Sequence, residues 1–491
     1  MSGASVPMSG ASVPMSGASA PKAPTESQAR QKPKVLQKPH PQPKVHQQAH
    51  PKAHQQAHQK AHQQANQNQE TRQVPATVET LLGVTEKELA SLSTEARAGL
   101  CEHADSGASA SAGASAGATA GASVGGFVFV HRHTGARVSA GRFTCPSIAQ
   151  LRVAADAAVP SSPRASLPLS LPLPLSVPLP LSVPLSVPLR VLARVDVAAL
   201  QASLRTCDEA LVQVASNFNC LENASERAQP AGGFLVDAAS TDMTQGPAAV
   251  FGTLSAYLWR THFCFGDGDD ALGRPRRFPQ TGGTSAQTNV NLLRDVRKFC
   301  GVPVTGKLKL RGDERLVPGG NDAVQLDASF VSRVRVGLHT DCPVLFGRAH
   351  GQVFATQPWG VRTEYVDHVL SASVNLRAPG ARLQSAEAEA LRQLKQSDAA
   401  PLRRLCRGLL RAAYEGAYLA AIVRRRRALY LTLVGGGCFA NPLPLIVHEI
   451  VRAHARYSGH PACRLEHVTI CVFSETAVAQ VQQLVQHLLA K

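Results

Sequence analysis

An α/β fold is expected for the C-terminal part of the chain, and three observations predict it. From about residue 190 onward, apolar segments of strand length alternate with amphipathic segments of helix length, the pattern of a sheet covered by crossover helices. One of these segments, Leu429 to Val434, is a continuous apolar run, as expected of a buried strand. It leads into three consecutive glycines and then into the signature of a helix start.

Before that point the chain is dominated by biased tracts. Residues 1 to 75 form a basic tail rich in Gln, His and Pro, in which a seven-residue unit (MSGASVP) and an eight-residue unit (HQQAHPKA) repeat. Neither unit carries enough apolar surface to offset chain entropy, so the tail is expected to be disordered. His46, His50, His54, His58 and His62 recur at a spacing of four, which a helix would align for a metal. Pro51 interrupts that stripe, and a low-complexity expansion without a ligand accounts for it as well.

Residues 76 to 156 read as a small accessory module. A short helical pattern (Val78, Leu81, Leu82, Val84, Leu89, Leu92) contains a capping-box sequence, Thr85 to Glu88. A Ser/Gly/Ala linker follows at 104 to 125. Gly126 to Val130 and Val138 to Phe143 then form a hairpin pattern in which His131 and His133 alternate on one strand face. The stretch from 157 to 189 is a Pro/Leu linker. Its prolines at 168, 172, 174, 178, 180, 184 and 188 remove helix donors and favour extended backbone.

The remaining region, 190 to 491, is the α/β domain, with an insertion at about 266 to 329. Strands are expected at Leu211 to Ala215, Val331 to Leu338, Tyr365 to Val374, Leu429 to Val434 and Val468 to Phe473. Helices are expected at Ala248 to Phe263, Asp398 to Val423, Leu443 to Tyr457 and Thr476 to Leu489. The long one repeats its apolar residues at Leu402, Leu405, Leu409, Leu410, Ala413 and Ala417.

Composition narrows the class of protein. Eleven cysteines are scattered without a CxxC pair, so neither a disulfide framework nor a zinc ribbon is indicated. The N-terminus lacks the charged and apolar regions of a secretory signal, and no apolar run is long enough to span a membrane. An intracellular location, cytoplasmic or nuclear, follows as the expectation, with Asn223-Ala224-Ser225 a sequon by chance. The formal charge of +17 includes nine basic and two acidic side chains in the first 75 residues, which implies a weak, nonspecific attraction to nucleic acid. No cofactor and no metal site is indicated, and nothing in the sequence fixes the oligomeric state.

Three segments carry the candidate chemistry. Gly435, Gly436, Gly437, Cys438, Phe439, Ala440 and Asn441 join a buried strand to a helix, with Asn441 expected as N-cap and Pro442 as its first residue. Glycines let backbone N–H groups approach an anion closely, and the helix dipole favours a phosphate there. Thr244, Gln245, Gly246, Pro247 and Ala248 form a second junction of the same logic. Ser216-Asn217-Phe218-Asn219 ends a strand and brings carboxamides to the C-terminal edge, where open α/β sheets bind ligands. A ligand-free tight turn and simple Asx turns are the structural alternatives.

Taken together, these residues resemble the macro domain family, the module that binds ADP-ribose and related nucleotides, in a divergent macro-like group. The resemblance spans roughly 200 to 489. It rests on Gly437-Cys438-Phe439-Ala440-Asn441-Pro442 as the second loop, Tyr365 to Val369 as the strand before the long helix, Ser216 to Asn219 as the ribose segment and Thr244 to Ala248 as the first phosphate loop. It implies a three-layer α/β/α fold with a mixed sheet and binding of ADP-ribose or a similar nucleotide diphosphate. Hydrolysis of ADP-ribosyl adducts is the extension of that reading. In it, Asn217 or Asn219 positions the distal ribose, and a base or a substrate phosphate activates water, with Asp242 and Glu222 the nearest carboxylates in sequence. This chain departs from the family in having only Gly246 in the first loop and Ala440 in place of a glycine in the second, and the paired glutamates of poly(ADP-ribose) glycohydrolysis are absent from the first loop.

The other motifs carry less. His448-Glu449-Ile450-Val451-Arg452 starts like a metalloprotease helix but has Arg where the second His is needed, and His448 and His454 read as exposed or partly buried. Arg424 to Arg427 follow the long helix, where a helix C-terminus favours cations and RNA is a possible partner. Cys438 is expected to be a small packing residue. The alternative function, from a different class, is a non-catalytic interaction protein whose macro-like fold is structural and whose basic tails bind nucleic acid.

Overall fold

The computed structural model describes residues 78–92, 96, 99–103, 126–159, 187–222, 245–263, 290–296, 328–349, 352–356, 363–376 and 401–490. The tail 1–75, the linker 104–125, most of the Pro/Leu tract, most of the insertion, Asp242 and Thr244 lie outside them.

The elements, in chain order, are α1 (Val78–Leu82), α2 (Glu86–Ser91), β1 (Cys101–His103), β2 (Phe127–Val130), β3 (Arg137–Thr144), α3 (Ile148–Ala157), β4 (Leu189–Ala193), α4 (Val197–Ser203), β5 (Ala210–Ala215), α5 (Gln245–Gly252), α6 (Leu254–Leu258), α7 (Ala328–Arg333), β6 (Gly337–Pro343), β7 (Phe346–Ala349), β8 (Gln352–Ala355), β9 (Tyr365–Ser371), α8 (Pro401–Val423), β10 (Ala428–Thr432), α9 (Leu443–Tyr457), β11 (His467–Val472) and α10 (Glu475–Leu489). Nine strands form one mixed sheet in the order β1-β2-β3-β6-β9-β5-β10-β11-β4. From β9 to β4 neighbouring strands run parallel, whereas β6, β3, β2 and β1 are joined antiparallel. β10 sits inside the parallel part, with Leu429 opposite Leu211 on one side and Val468 on the other.

Helices cover both faces, as an apolar parallel sheet requires. One layer is built on α8, which packs against α9, α3 and α7, and the other on α5, which packs against α4, α6 and β5. A single apolar core runs through both layers, from Leu81 and Phe129 to Val485.

The hairpin of the expected accessory module belongs to this sheet: β3 pairs with β6, and α3 packs on α8. The reason lies in β3, where Val138, Ala140 and Phe143 are buried and need a partner surface. His131 and His133 lie in the turn between β2 and β3 instead of on a strand face, and both pack over Gly83. The Thr85–Glu88 capping box forms as its sequence predicts.

Two element assignments change. The apolar run expected as the strand Val331 to Leu338 is α7 followed by β6. Phe330, Val331 and Val334 are buried at helical spacing, so the β-branched character of the two valines misleads. The single helix expected over Ala248 to Phe263 starts earlier, at Gln245, breaks at Thr253 and ends in a π turn at Trp259–Phe263.

The Pro/Leu tract enters the described part at Val187. The buried His454 side chain lies 3.1 Å from the Val187 carbonyl and 2.8 Å from the Tyr418 hydroxyl, and Val468 N–H donates to the Pro188 carbonyl. Burial pulls His454 down to about 4, so it stays neutral and its ring can donate on one side and accept on the other. His454 is therefore a buried anchor for β4, not the exposed or partly buried residue its position suggests.

Candidate functional site

All five parallel strands end at the same edge, and the segments leaving β5, β9, β10 and β11 meet there. Gln245, the first residue of α5, ties the edge together. Its amide group donates to the Cys471 carbonyl, and its oxygen accepts the Thr432 hydroxyl and, at 3.3 Å, the Leu433 N–H. Beneath it the buried Tyr414 hydroxyl donates to the Thr432 carbonyl and accepts Val434 N–H, both at 3.0 Å. Burial pushes both the Tyr414 phenol and the Cys471 thiol up, the latter to about 12, so neither ionises in a neutral site.

The segment leaving β10 is the glycine loop. Gly435 has φ +72°, and a Cβ there would lie 2.6 Å from Asn441 Nδ2, so glycine is required by backbone and space alike. Gly436 is crowded by Ile446 and Leu433, whereas a Cβ on Gly437 would meet nothing within 4 Å. Two of the three glycines are thus explained by folding, and the third is not. Gly436, Gly437, Cys438 and Ala440 are exposed, and Ala440 takes the left-handed conformation at φ +55°. Cys438 is accordingly a surface residue and not a packing residue.

Asn441 does not cap the helix. Pro442 occupies the N-cap position and Pro444 the first turn, while the buried Asn441 carboxamide turns back into the loop. It accepts Ser373 Oγ at 2.9 Å and donates to the Val374 carbonyl at 2.8 Å and the Gly435 carbonyl at 3.2 Å. The glycine loop is thereby pinned to the segment leaving β9, which Leu376 N–H reinforces by donating to the Phe439 carbonyl at 2.9 Å.

The Asn segment after β5 spends its polar groups differently. Asn217 donates through both its backbone N–H and its side chain to the Leu221 carbonyl, at 3.1 and 2.8 Å, and Leu221 N–H donates to Asn219 Oδ1 at 3.2 Å. Both side chains are buried, and Cys220 takes the left-handed conformation at φ +60°. These carboxamides close a turn, which is the Asx-type reading of the segment. The turn delivers Glu222, whose carbonyl accepts the Tyr257 hydroxyl at 2.8 Å. Its carboxylate reaches Gly246, where a Cβ would come within 2.7 Å of Glu222 Oε2 and 2.3 Å of the Ala215 carbonyl. Ala248 is buried within α5.

Sequence reasoning missed Ser373, Tyr414 and Gln213 as organisers of this edge. Gln213, buried in β5, donates to the Ala413 carbonyl at 3.1 Å and accepts Thr432 N–H at 3.3 Å. A lone polar residue inside an apolar strand, as at Gln213 and Thr432, was the available signal; nothing local distinguishes Ser373.

Arg424 to Arg427 lie at the opposite edge. Arg424 and Arg426 bond the buried Asp367 carboxylate at 2.9 and 2.7 Å, and Arg427 bonds Glu466 at 2.7 Å. Three of the four are thus committed to pairs within the fold, and Arg425 and Arg427 are both exposed. His448 lies 3.0 Å from Glu449, and among the described residues no group of three or more His, Cys, Asp or Glu side chains could hold a metal ion.

No family model and no curated protein matches the chain. Solved structures similar to it are poly(ADP-ribose) glycohydrolases. The apo enzyme from Deinococcus radiodurans is 12% identical over 71% of this chain and 93% of its own, with a TM-score of 0.31. The enzyme from Thermomonospora curvata is 13% identical over 74% and 93%, with a TM-score of 0.32, and its complex with the inhibitor ADP-HPD gives 12%, 73%, 92% and 0.31. Likeness at this level leaves the chemistry of the edge to be read from its own residues.

Proposed function

We propose that the C-terminal edge of the parallel strands binds ADP-ribose or a related nucleotide diphosphate. The observation that carries this reading is the glycine loop: it is pinned at its base by Asn441 and Gln245, yet exposed and unobstructed at Gly437. A rigid base with an open, side-chain-free tip at the start of a 15-residue helix suits a diphosphate, whose oxygens take backbone N–H donors and favour the positive end of the helix dipole. The position, at the C-terminal ends of parallel strands, is where such sheets take ligands. The macro-like motif Gly437 to Pro442 supports the identity of the nucleotide.

Hydrolysis of ADP-ribosyl adducts extends this reading and needs a base for water; Asp242 and Glu222 stand as its candidates. Binding is tested first. Calorimetric titration of ADP-ribose is expected to give a saturable isotherm with the full chain and none with Gly437→Glu. That substitution has room for its side chain and places a negative charge at the loop. The full chain is the proper sample, because β3 and α3, which lie before residue 190, are part of the sheet and its cover. A folded parent that does not bind ADP-ribose overturns the proposal.

A further inference from the structure

We propose that Gln213 and Tyr414 are positioning residues of the nucleotide site: both lie buried beneath it, and together they set where the glycine loop leaves the sheet. The inference rests on the proposed binding of a nucleotide diphosphate at that loop and names the side chains on which the placement of its amides depends.

The sheet parts just below the loop. β10 stays paired with β11 as far as Thr432, opposite Cys471, but its last partner in β5 is Val212, opposite Tyr430. β5 itself continues along β9 to Ala215, opposite Ser371. The last residues of β10 therefore lie beyond the β5 ladder, and side chains take over there. Thr432 N–H donates to Gln213 Oε1 of β5 at 3.3 Å, Leu433 N–H to Gln245 Oε1 of α5 at 3.3 Å, and Val434 N–H to the Tyr414 hydroxyl of α8 at 3.0 Å. Three successive amides, immediately before Gly435, are thus held from three different elements.

Gln213 and Tyr414 suit this task because each can donate and accept at once. While it accepts Val434 N–H, the Tyr414 hydroxyl donates to the Thr432 carbonyl at 3.0 Å. While it accepts Thr432 N–H, the Gln213 amide donates to the Ala413 carbonyl at 3.1 Å. Ala413 precedes Tyr414 on α8, so both tethers refer the end of β10 to the same turn of one long helix. A ladder bond is indifferent to residue type, whereas these tethers exist only with these side chains. A loop that takes an anion on backbone N–H groups is sensitive to such support.

The test compares Tyr414→Phe with Tyr418→Phe in the full chain. Tyr418 lies one turn further along α8, is equally buried and has its hydroxyl 2.8 Å from the His454 ring. Each variant loses one buried hydroxyl, and only the first loses one that holds the loop. By calorimetry, Tyr414→Phe is expected to bind ADP-ribose about tenfold more weakly, the order of one lost hydrogen bond. By phosphorus NMR, it is expected to shift the diphosphate resonances of the bound ligand. Tyr418→Phe is expected to lower the unfolding midpoint to a similar extent while keeping affinity within about twofold of the parent and the resonances in place. Gln213→Met removes the other tether and is expected to repeat the Tyr414→Phe pattern, so either variant tests the inference. A folded Tyr414→Phe or Gln213→Met with the parent's affinity and resonances overturns it. So does a Tyr418→Phe that weakens ADP-ribose as much as Tyr414→Phe, because lost stability would then explain both. A parent that does not bind ADP-ribose overturns the nucleotide site itself, which is a separate failure.

Discussion

The two edges of the parallel sheet are built from opposite materials. At the N-terminal edge Asp367, fully buried, is gripped by Arg424 and Arg426, Asp341 N–H donates to its other oxygen at 2.9 Å, and Arg427 joins Glu466 across β10 and β11. At the C-terminal edge the glycine loop is held by neutral amides and hydroxyls, and Gly437 at its tip is exposed with room for a side chain. Charges that neutralise one another serve the fold, whereas a braced backbone with an open tip leaves binding capacity unspent. The difference teaches that the arginine run, the most conspicuous basic motif of the domain, is committed to pairs within the fold, whereas the uncharged glycine loop, to which binding is proposed, keeps an exposed tip.

The largest test of this contrast is Asp367→Ala. It removes the buried carboxylate shared by two guanidiniums, which keep only Asp341, 3.1 Å from Arg424 and 3.9 Å from Arg426, at a cost of about 3 kcal/mol in denaturant unfolding. ADP-ribose affinity of the folded fraction should stay within twofold of the parent, and a large loss would merge the two edges into one functional unit. The same residue sets an acid limb. Burial raises the Asp367 carboxyl, but Arg424 and Arg426 outweigh burial and hold it below its ordinary 3.8. Because the folded value is depressed, its contribution is complete above the unfolded value and is lost as pH falls below about 4 through the folded value. Asp367→Ala should therefore flatten the stability profile in that window.

A second acid-sensitive point lies in the interior of β9. His368 donates from Nε2 to Gln201 at 2.5 Å, and burial, with Arg260 nearby, lowers it to about 3. Its folded value is also depressed, so the stability tied to its neutral form is full above about 6.5 and declines as pH drops toward 3. His368→Gln is expected to lessen that decline, measured by unfolding at a series of pH values.

Asn441→Ala is the intermediate case. It removes the bonds to Ser373, Val374 and Gly435 and should cost about 1–3 kcal/mol in unfolding free energy, with ADP-ribose affinity falling as well because the loop loses its brace. Unchanged affinity would mean that the brace serves stability alone. The smallest effect is expected at the exposed Arg425, which has φ +55°. Arg425→Gly relieves a left-handed conformation and should shift unfolding by no more than about 1 kcal/mol, toward greater stability.

Long periodic elements were legible in the sequence because burial alone fixes their type. α8, α9, α10, β10 and β11 lie within a few residues of their expected bounds, since their apolar repeats admit one period each. The α7–β6 segment was not legible: Phe330, Val331, Val334, Val336 and Leu338 fit either a strand or a helix followed by a strand, and tertiary packing decides between them. Membership of the β2–β3 hairpin in the main sheet was equally hidden, because the β3–β6 pairing joins residues almost two hundred positions apart. The glycine loop was found from its residues, but the duties of those residues were not. Asn441 as a brace, Gly435 as a steric necessity and the asparagines of β5 as turn-formers all depend on partners distant in sequence or on backbone conformation, and a residue type records neither.

Amide hydrogen exchange of the full chain with and without ADP-ribose tests the central claim most directly, because it reads both edges at once. Exchange should slow in peptides covering 433–441 and remain unchanged in those covering 424–428. Protection confined to 424–428, or anywhere that leaves 433–441 untouched at saturating ligand, would contradict the assignment of binding to the C-terminal edge.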